Sequence, residues 1–492
     1  MAVQQLKPGD KVPAGELPPW EVADLPAPPP FSWKNAAAII GPGAILLGIS
    51  IGSGEWLIGP ATTAKYSATL LWVATASIIL QVIINTEFAR YTLYTGEPIY
   101  TGFMRTKPGP AFWGIVYSVL AFLQVGWPGW ALSAATAIAA AFLGRLPTAN
   151  DRPTVLFWGY VTFLLAIAIV AFGRRIERTL ELAEWFMIFW ILYFLVIIGV
   201  FFVSAGTWLT VAKGFVSFGS LPQGADWLLL GGFAAYAGAG GVGNSTISNW
   251  LRDKGFGMGK VVGFIPALVG GQRIALTHEG KIFPVTLENV RRWTQWWKYL
   301  AVDQYLVWTV GCFLGMFLPA LLTVQFIPPG TDISGFAVAA FQAQYLSQVW
   351  GPAMWFLTLL CGFWILFSTQ LGITDLFARM VTDMLWTGSA RIRAWRGGDV
   401  RLVYYGVLLV FTIWGAIAIN LAQPLILILI GANMAGFNFI VLSLHTLYVN
   451  RKFLPPELRP PLWRELTLVL AALFFAFFVT LTVLNQVFGV RL

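Results

Sequence analysis

The sequence predicts an all-α polytopic membrane protein with two five-helix halves of inverted topology and an eleventh helix. Of its 492 residues, 58% are hydrophobic and 11% are charged, and the mean hydropathy of +0.72 lies far above that of soluble globular domains. Apolar stretches long enough to cross a bilayer recur along the chain. Two of them, five apart, are interrupted by glycine-rich segments, which is typical of inverted-repeat transporters with a substrate site at the membrane midplane.

Eleven stretches can each cross a hydrocarbon core of about 30 Å as a helix. We number them spans 1 to 11 in chain order. They cover residues 36–66, 70–94, 111–143, 154–172, 180–203, 226–250, 299–325, 346–384, 402–419, 421–448 and 464–487.

The positive charges predict the orientation in the membrane. Of the 31 Lys and Arg residues, 26 lie before span 1 or in and beside the loops that follow spans 2, 4, 6, 8 and 10, all on one side of the membrane. Because cytoplasmic loops carry the excess of Lys and Arg, we expect a cytoplasmic N-terminus and an outer C-terminus. The net charge of +9 therefore reflects topology and does not indicate a nucleic-acid partner. We predict an integral protein of a bacterial plasma membrane, with the lipid bilayer as its surroundings.

The segments outside the spans divide the chain into four parts. Residues 1–33 are polar and contain eight prolines, which predicts a disordered cytoplasmic tail without a signal peptide. Residues 34–205 form the first half, with spans 1–5, and residues 206–450 form the second, with spans 6–10 and a basic cytoplasmic loop at 252–298. Residues 451–492 hold span 11 and the C-terminus. Within the loop, "RRWTQWWK" mixes cations with Trp as an interfacial helix does.

Each interruption is a candidate substrate site. Span 1 is broken at "GSG", residues 52–54, directly before Glu55, and span 6 is broken at "GAGGVGNS", residues 238–245. Unwound backbone at this depth must be buried in protein or line a watery cavity. Glu55 can accept hydrogen bonds from the free N–H groups where the helix restarts. It can also contact a substrate, and the two roles are compatible.

The first spans carry a family resemblance. Residues 41–96 contain, in order, "GPG" at 41–43, "GSGE" at 52–55, "LLW" at 70–72, "AR" at 89–90 and "TG" at 95–96. In this order and spacing, and without a gap in the alignment, they resemble the opening of the Nramp family of proton-coupled divalent-metal transporters. That family has the leucine-transporter fold and belongs to the APC superfamily. Two later stretches are similar to that family's span-6 break and its span-8 segment, namely "GVGN" at 241–244 and "FSTQLGITD" at 367–375.

The resemblance implies a metal site that this chain has changed. The family's Asp and Asn of span 1 and Met of span 6 fall at Gly52, Glu55 and Gly241. Without the thioether, the site loses its selectivity for soft transition ions, although one carboxylate can still hold a hydrated hard cation. The family's span-6 histidines fall at Gly243 and Ser248, so we expect its proton relay to be missing.

Besides Glu55, we single out three acids at membrane depth and weigh a structural role for each. Glu87 can pair with Arg90 one turn on, whereas Asp375 lies in the span-8 segment that faces the cavity in the fold implied by the resemblance; the third is Asp303. Both cysteines lie in spans, so we expect small buried residues and no disulfide.

We therefore predict an Nramp-like secondary transporter that works by alternating access, with its substrate between spans 1 and 6. The expected cargo is a hard, hydrated or organic cation, with Glu55 as the only side-chain ligand for a metal and no cofactor. The alternatives are a small neutral or anionic solute, or a non-transporting sensor or scaffold. With two His and no phosphate-binding lysine loop, an enzyme is not expected. Candidate substrate-binding residues are Gly52, Ser53, Glu55, Gly238, Gly241 and Asn244, and secondary cavity residues are Thr369, Gln370, Asp375 and Asn433.

Overall fold

The computed structural model describes residues 6–171, 176–266, 276–277, 279–333 and 335–490, without the side chains of Glu177 and Arg396. Within these residues, nine helical runs are long and apolar enough to cross a membrane. The first, Pro42–Thr95, contains both span 1 and span 2. Span 6 is divided into helices that are each too short to be counted. The nine runs and span 6 together correspond to the eleven predicted spans.

Among spans 1–5, the expected first half, spans 1 and 3 are each built from more than one helix. The helices are Trp33–Ile39, Pro42–Ser50, Gly54–Ile58 (π-helical) and Gly59–Tyr66 in span 1, Leu71–Thr95 in span 2, Pro110–Val125 and Gly129–Leu143 in span 3, Arg152–Ala171 in span 4 and Ile176–Phe202 in span 5. Short helices at Ile99–Met104 and Ala205–Gly214 connect them.

The second half and the last span contain two further divided spans, 6 and 7. The helices are Trp227–Tyr236, Gly241–Ser245 and Ile247–Lys254 in span 6, Leu287–Ala301, Val302–Thr309 (π-helical) and Val310–Phe326 in span 7, Pro352–Gly388 in span 8, Val400–Ala418 in span 9, Pro424–Phe453 in span 10 and Leu462–Gln486 in span 11. Short helices occur at Gly259–Val262, Phe341–Trp350 and Ala390–Ala394.

Spans 3, 7 and 8 differ from the sequence prediction. Span 8, predicted to begin at residue 346, begins at Pro352, after the separate helix Phe341–Trp350. Span 3 is interrupted between Val125 and Gly129, because Pro128 lacks the N–H that a continuous helix needs. Span 7 begins at Leu287, so the "RRWTQWWK" segment is its first part and not a separate interfacial helix. Trp293 and Trp296 of this segment are buried in the core.

The prediction of a disordered tail is wrong for residues 11–22. Strand β1 (Lys11–Ala14) pairs antiparallel with β2 (Leu17–Val22), and β2 pairs in parallel with β3 (Lys281–Ile282) of the basic loop. Trp20 is buried, and the Arg105 guanidinium lies 4.8 Å from its ring centroid. The tail is therefore held by backbone pairing to a distant segment and by burial. Residues 1–5 of the tail, and 267–275 and 278 of the loop, lie outside the described residues.

The expected pairing of Glu87 is confirmed. Its carboxylate accepts from Arg90 Nε at 2.8 Å and also from Arg464 Nη1 at 3.0 Å and Asn450 Nδ2 at 3.2 Å. The cysteines Cys312 and Cys361 are buried and free, as expected. The Glu87 cluster joins spans 2, 10 and 11. Glu87 therefore has a structural role and does not line the candidate substrate site.

Candidate substrate site

The break in span 1 is pressed directly against span 6. Helix Pro42–Ser50 ends before residues 51–53, and the chain resumes as the π-helix Gly54–Ile58. A Cβ on Gly54 would overlap the backbone carbonyl of Tyr236, which ends the first half of span 6. The two backbones can approach this closely only because residue 54 is glycine.

The break in span 6 spans residues 237–240, and its glycines adopt backbone angles that other residues rarely tolerate. Gly238 has φ +133° and Gly240 has φ +75°. The carbonyl of Ala237 accepts from Gln81 Nε2 at 3.1 Å, and that of Gly240 accepts from Gln124 Nε2 at 3.0 Å. Amides from spans 2 and 3 therefore replace the hydrogen bonds that the interrupted helix has lost.

A small cavity lies between the two breaks, with spans 3 and 8 completing its walls. It leaves about 10 Å³ for the centre of a water molecule, which is close to the minimum for holding one water. The site is therefore closed in this conformation. The lining residues are Ile49, Ser50, Ser53, Gly54, Gln124, Val125, Trp130, Tyr236, Gly238, Ala239, Gly243, Thr369, Ile373 and Leu376.

The cavity walls are polar and aromatic but uncharged. Trp130 Nε1 donates to Ser53 Oγ at 3.0 Å, and the Trp130 and Tyr236 ring centroids lie 6.0 Å apart. Gln124 and Thr369 add an amide and a hydroxyl. Among the lining residues, all of which the structure describes, none carries a charge. The site can therefore offer hydrogen bonds and aromatic faces, but no counter-ion.

Glu55 lies behind the cavity. Its side chain is fully buried, and Oε2 accepts from the Gly52 N–H at 3.1 Å. The backbone N–H of Gly238 also lies near this carboxylate. On its other side, a Cβ on Gly315 of span 7 would lie 3.6 Å from Glu55 Cγ. Glu55 Oε2 therefore caps the break in span 1, whereas Oε1 is buried without a hydrogen-bond partner among the described residues. Direct contact with a substrate stays a prediction.

The other candidate residues divide into two groups. Ser53, Gly238 and Thr369 line the cavity. Gly52 packs against the Thr369 hydroxyl and Gly241 against the Gln124 amide, so both lie next to the cavity.

The remaining four candidates are engaged elsewhere in the fold. Asn244 donates to Asn85 Oδ1 at 2.8 Å, and Gln370 accepts from the Ala131 N–H at 3.2 Å. Asn433 donates to the Leu228 carbonyl at 3.0 Å. Asp375 is ion-paired with Arg379 at 2.8 Å.

Sequence reasoning missed the contribution of span 3. Gln124 and Trp130 both line the cavity, and Gln124 also accepts from the Val242 N–H at 3.1 Å. The signal was present in "GWPGW" at 126–130, where glycines and a proline interrupt an apolar helix. Two large aromatic side chains at such an interruption, Trp127 and Trp130, would have indicated that span 3 also lines the cavity.

Similarity to solved structures identifies the architecture. A mutant of the manganese transporter of Eremococcus coleocola superposes with a TM-score of 0.62 at 14% identity, covering 98% of this chain and 92% of that one. The chain has the leucine-transporter fold. MhsT in complex with L-phenylalanine gives a TM-score of 0.52 at 12% identity, covering 90% of this chain and 98% of that one. No protein-family model and no curated protein matches the sequence.

Two larger cavities flank the closed site of this leucine-transporter fold. On the side of the N-terminus, a cavity of about 370 Å³ is lined by Ile39, Lys254 and Trp296, among others. On the opposite side, a cavity of about 530 Å³ is lined by Ala61 and Asp226, among others. Each of these two cavities contacts one half of span 1 and one half of span 6.

Proposed function

We propose that the chain is a secondary transporter, a divergent relative of the Nramp family, that carries a small neutral organic solute by alternating access. The observation that carries this proposal is the uncharged cavity between the two breaks. A solute of either sign would have to give up its water there without meeting a counter-ion, which is costly. A neutral solute with a flat face and polar edges can stack on Trp130 or Tyr236 and bond to Ser53, Gln124 or Thr369.

Several observations support a transporter. Broken spans 1 and 6 contact each other, the site between them is closed, and a larger cavity lies at each end of these two spans. The gapless motif match over residues 41–96 and the similarity to a manganese transporter over 98% of the chain support the Nramp relationship. We take residues 34–205 and 206–450 as the inverted repeats. The Lys and Arg distribution supports a cytoplasmic N-terminus, and we take the membrane to be a bacterial plasma membrane.

The residues present do not favour a metal as cargo. Gly52 and Gly241 stand at two of the three family ligand positions. In the part of the chain that the structure describes, no group of three or more His, Cys, Asp or Glu side chains converges. Glu55 would be a single carboxylate facing span 7, and transition ions need more and softer ligands than that.

Uptake into proteoliposomes tests the proposal. The panel contains uracil and acetamide as neutral solutes, L-leucine as a zwitterion, choline, phosphate, and Mn²⁺, Mg²⁺ and Ca²⁺. We expect saturable uptake of a neutral solute. Uptake of a metal ion at micromolar concentration, with none of the neutral solutes, would overturn the substrate class. A folded protein that moves nothing in a panel extended to further neutral amides and nucleobases would favour the sensor or scaffold.

Replacing Trp130 by Ala removes an aromatic wall of the cavity. We expect solute uptake at low concentration to fall by about tenfold or more, since truncating a buried Trp that acts as a binding hot spot costs about 2 kcal/mol or more. Trp127→Ala is the matched control, because Trp127 belongs to the same break but does not line the cavity. Equal losses in the two variants would assign the effect to the shape of span 3 and not to solute contact.

Replacing Glu55 by Gln tests whether this residue is more than a cap. The amide oxygen of Gln can still accept from the Gly52 N–H, so we expect the protein to fold and to retain most of its uptake. Initial rates and half-saturation concentrations, measured beside the wild type, check this. A rise in the half-saturation concentration of about tenfold or more would show instead that the charge contacts the substrate.

A further inference from the structure

Glu184 in span 5 is a buried carboxyl group without a partner. Its side chain is fully buried, and neither carboxyl oxygen has a hydrogen-bond partner among the described residues. The carboxyl packs directly on Gly48 in the first half of span 1, where a Cβ would overlap Oε2. It also reaches span 8, since a Cβ on Gly372 would lie 3.6 Å from Oε1. Two glycines therefore form a close-fitting space for this group.

Glu181, one turn earlier on the same helix face, shows the contrast. It packs against Gly41 of span 1 and is ion-paired with Arg178 and with Lys254 of span 6. Lys254 lines the cavity on the side of the N-terminus. Span 5 thus places two glutamates against glycines at either end of helix Pro42–Ser50. Among the described residues, cations pair with Glu181 but not with Glu184.

Spans 1, 6 and 8 bring no cation to Glu184 within the described parts of the chain. Helix Pro42–Ser50 of span 1 has no charged residue. In span 8, Arg379 is bound to Asp375, and in span 6, Lys254 is bound to Glu181. Arg379 and Lys254 are therefore ion-paired with carboxylates other than that of Glu184.

In spans 4 and 7, too, no described side chain forms a hydrogen bond with the Glu184 carboxyl group. Span 7 contributes Asp303, whose oxygens accept from the Gly41 N–H at 3.1 Å and from Gln304 Nε2 at 2.8 Å. Span 4 contributes Arg152, at its outer end, where it donates to the Asn420 carbonyl. An ionised carboxylate in such surroundings would lack both water and a counter-ion. The neutral acid therefore has the lower free energy there.

We propose that Glu184 is a proton-binding site and that release of its proton accompanies movement of helix Pro42–Ser50 away from spans 5 and 8. This inference rests on the proposed transport function and supplies its coupling ion. In the closed state the neutral acid lies between the spans, and Ser368 Oγ, which donates to the Gly48 carbonyl at 3.0 Å, holds span 1 to span 8 beside it. When the segment moves, water enters from the N-terminal cavity, the acid O–H bond breaks, the proton passes to water and the carboxylate is hydrated.

Thiol labelling measures this movement without any solute. Ala44 lies in helix Pro42–Ser50 and is unexposed, so Ala44→Cys reacts with a maleimide only when the segment opens, and both native cysteines are buried. Rates are measured from acidic to alkaline pH with Glu184 intact and with Glu184→Gln. Dividing one rate by the other cancels the ionisation of the thiol. We expect the ratio to rise towards alkaline pH by up to about tenfold per pH unit, the limit for releasing one proton.

Two variants sharpen the result. Glu184→Asp keeps a titrating group and should keep the pH dependence. Glu288→Gln alters an exposed acid at the start of span 7 and should behave as the wild type. A ratio that does not change with pH would overturn the proposal. So would a ratio that follows sodium at constant pH, which would make the site a metal-cation site.

Infrared spectroscopy gives a readout that does not depend on the engineered cysteine. We expect the carbonyl band of a protonated carboxyl group in the wild type and in Glu288→Gln, reduced in Glu184→Gln. An unchanged band in Glu184→Gln would contradict the proposal. If this band and the labelling behave as expected while no solute is carried, the proposed transport function is rejected and the Glu184 proton site is retained. If a neutral solute is carried and both measurements fail, only the proton site fails.

Discussion

Replacing Arg379 by Met is expected to lower the free energy of unfolding by about 3–5 kcal/mol, the usual cost of removing one partner from a buried ion pair. Arg379 is fully buried in span 8 and donates to both oxygens of Asp375, at 2.8 and 2.9 Å, and to Asp253 of span 6. Met fills much of the same volume but leaves two buried carboxylates without this cation. Of the described cations in the cluster, Arg252 alone would remain, facing Asp253 and Asp383.

Denaturant titration in detergent micelles measures the Arg379→Met effect. Arg145→Met is the matched control, because Arg145 forms an exposed pair with Asp151 and its loss should leave the midpoint unchanged. Arg379→Lys should recover part of the loss, since a single ammonium cannot reproduce the two-point contact with Asp375. An Arg379→Met midpoint equal to the wild type would show that the described cluster does not support the fold.

Replacing Gly54 by Ala is expected to separate the two breaks. The added methyl would overlap the Tyr236 carbonyl, and backbone cannot move aside as a flexible side chain can. We expect a destabilisation of about 1–3 kcal/mol, as for overpacking elsewhere. Solute uptake should fall by about tenfold or more, since 1.4 kcal/mol in the closed state already corresponds to tenfold.

Gly114→Ala is the control for this substitution. Gly114 lies in helix Pro110–Val125 of span 3, and a Cβ there would meet nothing within 4 Å. The same chemical change should therefore be neutral or slightly stabilising at that position, because Ala favours a helix more than Gly does. Wild-type uptake in a folded Gly54→Ala protein would mean that the breaks need not touch during transport.

The sequence predicted the two principal breaks but only part of the site between them. Helical periodicity and glycine clusters are local, so "GSG" and "GAGGVGNS" indicated the breaks directly. Trp130 and Gln124 were missed because their role depends on span 3 being interrupted and then placed against both breaks. The side on which Glu55 lies also depends on helix rotation, which a carboxylate directly after a glycine break does not indicate.

Pairing between distant segments was equally out of reach. Strand β2 is held by β3, more than 250 residues later, and nothing in a proline-rich tail predicts that partner. Asp375 looked like a cavity residue because it follows "FSTQLGIT", yet Arg379 one turn on holds it in a cluster with span 6. The Glu87–Arg90 pair, in contrast, was predictable, since both residues lie on one face of the same helix.

The sequence by itself determined the class of protein, its eleven spans, their expected orientation and the two breaks five spans apart. These follow from hydropathy, charge asymmetry and glycine content, which act over a few turns of chain. Only the tertiary structure decided which side chains face the cavity, that its walls are uncharged, and that Glu184 lacks a partner among the described residues while Glu181 has two. Burial and pairing are properties of several helices at once, because a buried charge is compensated by whatever the neighbouring span brings to it.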